Sequence, residues 1–270
     1  MKKELKNTII NFKNFFPRVL YASSYYNSKY QQIVKWGFQS KENTNYTYNL
    51  TDKNLLYLAN MISIVTNTSF EIIDSYIQEA LSDAELAEHV IGKTRDSEFK
   101  NFADERCEFG RRVGWYAVAR AIKPEIIIET GVDKGHGAVL LCSALLKNSN
   151  EGYQGYYYGT DINPTAGYLL DGIYQKQGRI LYGDSIASLK KLTCKIDLFI
   201  NDSDHSAEYE YQEYLTINDK LSANAIILAD NAHVTARLAQ FSLENKRKFL
   251  FFKEEPKNHW YPGAGIGFSF

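Results

Sequence analysis

From residue 125 onward, short runs of β-branched and aromatic residues alternate with longer runs whose apolar positions recur every three or four residues. That alternation marks parallel strands joined by crossover helices. It predicts strands over 126–129, 156–160, 179–182, 196–201, 225–229, 248–253 and 265–270. The last two lie close in the chain, around Pro256 and Pro262, and are expected to pair as an antiparallel hairpin. Ile126, Ile127 and Ile128 form an unbroken apolar run, as a strand buried on both faces requires. Before residue 105 the pattern is helical. Residues 55–65 are apolar, and Thr68 and Glu71 have capping-box spacing for a helix through about Leu81. Its Phe70, Ile73, Ile77 and Leu81 share one face. Residues 82–100 read as a charged connection, and 102–121 as a helix stopped before Pro124.

Composition narrows the class. A chain of 270 residues with 44% apolar content can bury a large core. Its net charge of −1 lacks the basic excess of a general nucleic-acid binder. Cys107, Cys142 and Cys194 are odd in number and lack metal-ligand spacing, which predicts free thiols in a reducing compartment. Asn7, Asn11, Lys13 and Asn14 interrupt the apolar residues of the first segment, and no run is long enough to span a bilayer. A cytoplasmic location is expected, with an amphipathic membrane-touching helix over 4–16 as the alternative.

Candidate chemistry concentrates at predicted strand ends. Glu129 closes the first strand, and Gly131, Gly135 and Gly137 follow it before the helical run 138–146. Glycines at a strand-to-helix turn let backbone approach a ligand closely. Asp161 ends the second strand, where a carboxylate can accept from both ribose hydroxyls of a nucleotide; that feature serves NAD equally. The order Glu129-x-Gly131-x-x-x-Gly135 departs from the dinucleotide fingerprint. It resembles motif I of the class I S-adenosylmethionine-dependent methyltransferases. That resemblance implies a Rossmann-like α/β fold: a seven-stranded, mostly parallel sheet with an antiparallel C-terminal hairpin and a helical N-terminal extension. It puts Glu129 and Gly131 near the methionine part of the cofactor, and Asp184 and Ser185, after the third strand, on the adenine side. The expected division is a helical region over 1–105, a substrate lid or an oligomerisation element, and a cofactor-binding domain over 106–270.

The fourth strand runs into Asp202-Ser203-Asp204-His205-Ser206 and the fifth into Asp230-Asn231. Neighbouring parallel strands end side by side, so Asp202, Asp230 and Asn231 should meet as a hard oxygen site suited to Mg²⁺. The pattern resembles the cation-dependent O-methyltransferases, and the string D-x-D-H-S is closest to the macrocin-type sugar branch. By that resemblance Asp202, Asp230 and Asn231 hold the metal, Asp204 is a rival or partner for the first, and His205 is the base. The acceptor implied is a sugar, a nucleotide sugar or another polyhydroxylated small molecule. His233, Arg111, Arg112 and the polar-aromatic stretch 258–263 are substrate-side candidates, each with a structural reading beside it. A metal-independent N- or O-methyltransferase using His205, and an NAD-binding oxidoreductase, are the competing functions. Turn and capping roles for the same residues are the bland alternative.

Overall fold

The computed structural model describes residues 10–204 and 206–270. Two helices, α1 (Phe15–Ser24) and α2 (Asn27–Gln39), come first, and neither buries a residue fully. An extended segment over 46–51 follows. It bridges Leu50 to Pro256 and exchanges backbone bonds with Glu255 and Lys257. Helices α3 (Asp52–Thr66), α4 (Phe70–Ser82) and α5 (Ala84–Asp96) complete the N-terminal layer.

Helix α4 buries Ile73 and Ile77 as its spacing predicts. Ser69, rather than Thr68, occupies its N-cap position, without a side-chain bond. The expected connection over 82–100 is mostly α5. Asp83 caps it by accepting from the Leu86 N–H at 3.0 Å, and Leu86, Val90 and Thr94 turn inward at four-residue spacing. Its many charges hid that stripe. The expected helix over 102–121 is shorter. A 3₁₀ turn over Gly110–Arg112 leads into α6 (Val113–Ile122). Gly110 has φ +54° and donates its N–H to the Tyr48 carbonyl, so the chain before it follows residues 46–51 instead of coiling.

The sheet contains β1 (Ile126–Thr130), β2 (Tyr156–Asp161), β3 (Gly178–Tyr182), β4 (Ile196–Asn201), β5 (Leu221–Ala229), β6 (Phe249–Lys253) and β7 (Gly265–Ser269). Its order is β3-β2-β1-β4-β5-β7-β6. The first five strands are parallel, and β7 pairs antiparallel with both β5 and β6. This is the Rossmann-like mixed sheet expected. The order reverses between β1 and β4, and the ligand crevice of such sheets opens there, at the strands' carboxyl ends.

Helices cover both faces: α3 to α6 with α7 (His136–Asn150) on one, α8 (Ser185–Lys191), α9 (Ala207–Ile217) and α10 (Arg237–Glu244) on the other. On the first face Leu58, Ile62, Ile73 and Ile77 share one apolar cluster with Trp115, Tyr116 and Ile127. Arg120 of α6 crosses this layer. It donates to Glu79 of α4 at 2.7 Å, to Glu151 at 2.6 Å, and to the buried Asn148 side chain. Its loss would leave Asn148 without that donor.

Arg120→Ala should therefore lower stability by roughly 2 kcal/mol, mostly through stranded Asn148, because Glu79 and Glu151 reach water. Urea unfolding measures it. A loss within about 0.5 kcal/mol, the usual range for an inert surface change, would show that the guanidinium does not clamp the helices.

Candidate functional site

The glycines after β1 do three different things. Gly131, at φ +84°, has no room for a Cβ because the Asp202 carbonyl oxygen occupies that space. The close approach is sealed by the Asp202 N–H donating to Thr130 O at 2.8 Å. Gly135, at φ +94°, leads into α7 and lies against Gly167, whose Cα would be 3.0 Å from an added Cβ. Gly137 sits inside the first turn of α7, where a Cβ would overlap the Glu129 carboxylate. Glu129 is buried and accepts from the Tyr157 hydroxyl at 2.6 Å. Burial raises its carboxyl to about 7.

Gly131, Asp161, Asp184, Ser185 and Asp202 line one cleft, together with Thr160, Ser203 and Tyr209. Asp161 accepts the N–H groups of Val132 (3.0 Å) and Asp133 (2.9 Å), so it pins the glycine turn from the β2 side. Asp184 caps α8 through the Ala187 N–H at 2.7 Å and accepts from Tyr209 at 2.7 Å. Ser185 bonds Tyr209 at 2.9 Å and donates to Glu213. Glu129 and Gly137 line a second cavity, which adjoins the first at Arg112, Asp133 and Asp202.

Asp202 and Asp230 both line the second cavity, close enough for each to feel the other's charge. Two buried carboxylates this close cannot both ionise without a compensating cation. Burial and the charge of Asp230 hold the Asp202 carboxyl well above its ordinary value. Burial would raise Asp230 too, but the paired Arg111 overrides it and holds Asp230 at about 2. Arg111 donates to both Asp230 oxygens, to Tyr48 at 2.7 Å and to Glu254 at 2.9 Å. Arg112 donates to Asp202 at 3.3 Å. The buried amide of Asn231 donates to Asp204 O at 3.5 Å, while its Oδ1 accepts from none of the described residues. Among the described residues, no three His, Cys, Asp or Glu side chains converge as a metal group. A cation here would take its third protein ligand from Asn231.

The structure redirects other candidates. Arg111 and Arg112, substrate-side candidates with a solvated helix face as the commoner reading, are bound to the two aspartates instead. Asp204 is exposed and accepts from the Ser206 N–H at 2.7 Å rather than joining Asp230. The exposed ring of His233 bonds the Asp230 carbonyl at 2.9 Å. His205 lies outside the described residues.

Two contributors carried no sequence signal as site residues. His136 opens α7 and lines the second cavity with Asp202 and Asp230. Burial, with Arg112 and Lys134 nearby, lowers its imidazole to about 3, so it is neutral at physiological pH. Glu213 is the other. Helix α9 ends at Ile217, and its inner face is Glu210, Glu213, Tyr214 and Ile217. Leu215 is exposed. Glu213 accepts from Thr130 at 3.1 Å, from Ser203 at 2.8 Å, and from Asn201 and Ser185, tying together the tips of β1 and β4 and the start of α8. Its only advance sign was four-residue spacing to Ile217.

Residues 128–232 match the model of a family described as a methyltransferase domain. Over that segment the chain is similar to a methyltransferase domain. The match removes the NAD oxidoreductase from the competing readings and spans the cofactor cleft from β1 to Asn231. No curated protein sequence matches the chain. Among solved structures, an S-adenosylhomocysteine-bound methyltransferase from Podospora anserina, PaMTH1, is 19% identical, with TM-score 0.49, over 69% of this chain and 87% of its own. The O-methyltransferase TomG of Streptomyces achromogenes, solved with S-adenosylmethionine and involved in tomaymycin synthesis, is 12% identical, with TM-score 0.48, over 70% and 90%. A methyltransferase from Geobacter sulfurreducens is 18% identical, with TM-score 0.48, over 73% and 97%.

In the methyltransferase domain, Gly131→Ala forces the tips of β1 and β4 apart. Overpacking of this kind costs about 1–3 kcal/mol, and S-adenosylhomocysteine affinity should fall with it in a calorimetric titration. Unchanged affinity would separate the turn from the cofactor cleft. A pH effect follows from Glu213, whose carboxyl burial raises from 4.5 to about 7 against the pull of its donors. Between those values the folded chain holds a proton that the unfolded chain has released. The stability tied to this group is fully present below pH 4.5 and falls as pH rises to 7. Glu213→Gln should flatten that part of the curve in denaturant titrations at pH 5 and pH 8; an unaltered slope would rule out Glu213 as its source.

Proposed function

We propose that the chain is an S-adenosylmethionine- and divalent-cation-dependent O-methyltransferase acting on a hydroxyl of a sugar or other polyhydroxylated small molecule. The observation that carries this reading is the presence of Asp202 and Asp230 in one cavity beside the cleft, with Asn231, whose Oδ1 has no partner among the described residues, directly after Asp230 in the chain. Arg111 is shared between Asp230 and Glu254, and Arg112 reaches Asp202. An all-oxygen donor set suits Mg²⁺.

In this reading Asp161 takes the ribose of the cofactor, Asp184 and Ser185 the adenine, and Glu129 and the glycine turn the methionine end. The cofactor supplies an electrophilic methyl group. A cation held by Asp202, Asp230 and Asn231 would lower the pKa of an acceptor hydroxyl placed on it. Arg111 and Arg112 fix the two carboxylates, so the acceptor oxygen is oriented without reorganising charged groups. His205 is assigned the proton from that hydroxyl, a role worth ~10²–10⁴-fold in rate.

Residues 1–105 are read as the acceptor-side cover, since Thr44, Tyr46 and Tyr48 line the cavity containing Asp202 and Asp230. Self-association through the same region is the other assignment. Three free cysteines support a cytoplasmic location. Among the described residues no helix is long and apolar enough to cross a membrane.

One observation favours a second reading. Arg111 and Arg112 already place positive charge on both aspartates, which suits a metal-independent enzyme relying on His205. Methyl transfer from labelled S-adenosylmethionine to a panel of sugars and nucleotide sugars decides between them. Cation dependence predicts that excess chelator abolishes turnover, that Mg²⁺ restores it, and that Asp202→Ala and Asp230→Ala are inactive while still binding S-adenosylhomocysteine. Turnover that persists in chelator selects the metal-independent enzyme.

A further inference from the structure

A separate cavity lies between α2 and the loop joining β6 to β7. Its walls include Lys35 and Trp36 of α2, Arg106, and Lys257, His259 and Trp260. Three ring N–H groups of residues on these walls are buried without a partner among the described residues: Trp36 Nε1, Trp260 Nε1 and His259 Nε2. The His259 tautomer is set by its other nitrogen, since Nδ1 accepts the Tyr261 N–H at 3.1 Å. Nε2 therefore carries the proton and can only donate. Unpartnered buried donors are uncommon in folded proteins and call for an explanation. Here all three belong to residues that line one cavity, which also presents three cationic side chains.

Charge on the walls is unbalanced in the same direction. Lys35 has no carboxylate partner among the described residues, Arg106 is 4.0 Å from Asp104, and Lys257 pairs with the exposed Asp52 at 2.8 Å. The one wall carboxylate, Glu108, accepts from Asn49 at 3.0 Å, and burial raises its pKa. Burial, with Lys29 and Arg106 nearby, lowers that of His259. The Trp36 and Trp260 rings lie 5.2 Å apart. Indole faces beside convergent N–H donors and cations suit a glycosyl ring attached to an oxyanion with several acceptor oxygens.

The cavity adjoins the candidate active site through Tyr48, which lines both. The Tyr48 ring stands 5.6 Å from that of His259, and its hydroxyl accepts from Arg111, the residue that holds Asp230. We infer that this cavity binds the phosphate of a phosphate-bearing glycosyl acceptor, with the sugar directed past Tyr48 toward Asp202 and Asp230. This rests on the methyl-transfer reading above and names its substrate class.

Two of the three tryptophans of the chain, Trp36 and Trp260, line the cavity, so intrinsic fluorescence reports on it. The full-length protein is titrated with UDP-glucose, glucose 1-phosphate, glucose and pyrophosphate, and S-adenosylhomocysteine binding is measured separately by calorimetry. UDP-glucose or glucose 1-phosphate should change the emission saturably, and which of them binds tighter tells a nucleoside diphosphate from a monoester. Glucose should give no response. Lys35→Glu, at an exposed helix position, should weaken the phosphate-bearing ligand at least tenfold and leave S-adenosylhomocysteine affinity within twofold. Trp260→Phe should remove most of the signal. No saturable response to either phosphorylated sugar, or an unchanged affinity in Lys35→Glu, overturns the inference. So does pyrophosphate binding as tightly as the sugar ligands, which would mark a bare oxyanion site. Failure of S-adenosylhomocysteine to bind while UDP-glucose does would instead strike the cofactor reading and leave the cavity's ligand standing.

Discussion

Two carboxylates forced together at neighbouring strand tips are the constraint on which the site depends. Asp202 and Asp230 would repel one another strongly in a medium from which water is largely excluded. Two successive arginines answer that repulsion. The 3₁₀ turn over Gly110–Arg112 sends Arg111 to Asp230 and Arg112 to Asp202, so one short element neutralises both tips. The arrangement is expensive in desolvation, and replacing it with apolar residues would often be neutral or stabilising in a protein that needed only a core. Its retention beside the cofactor cleft is intelligible as the holding of negative charge in a fixed place.

The same logic runs beneath the cleft. Glu213 gathers hydroxyl and amide donors from β1, β4, the loop after β4 and the start of α8. Glu254 receives Arg111, the Tyr48 hydroxyl at 3.0 Å and the Ala264 N–H at 2.6 Å. Each carboxylate spans elements distant in sequence. Such a floor resists small displacements of the strand tips, and methyl transfer is sensitive to those because it depends on alignment.

Much of this was legible in the sequence, for a local reason. The strands of a parallel sheet are apolar runs, and their carboxyl ends carry the chemistry, so Glu129, Asp161, Asp184, Asp202 and Asp230 could be placed from patterns a few residues long. The fold class and the antiparallel β6–β7 pair followed the same way. What was hidden depends on partners far along the chain. Glu213 reads as an exposed glutamate until its donors from Thr130 and Ser185 are known. Arg111 and Arg112 look like solvated charge or a phosphate grip until the strand tips they neutralise are in view. Helix α5 was hidden by its charged outer face, although Asp83, Leu86 and Val90 carried both its cap and its stripe. The helix expected from residue 102 failed because Gly110 takes a left-handed conformation to let Tyr48 pack over it.

That last interaction explains how the N-terminal layer reaches the site at all. Residues 46–51 have no helical pattern and too little apolar content to form a core strand alone. They are held from both sides: the Gly110 N–H bonds Tyr48 O at 2.8 Å, and the Lys257 N–H bonds Asn49 O at 2.7 Å. A Cβ at position 110 would strike the Tyr48 ring, so the turn that delivers the two arginines also seats this tyrosine. Tyr48 then stands between Arg111 and Glu254 on one side and His259 and Tyr261 on the other. The cofactor half of the site is thus built by local rules of strand and turn. The side lined by Tyr48 is built by a single long-range docking, in which a non-helical segment is fastened between the arginine turn and the C-terminal hairpin.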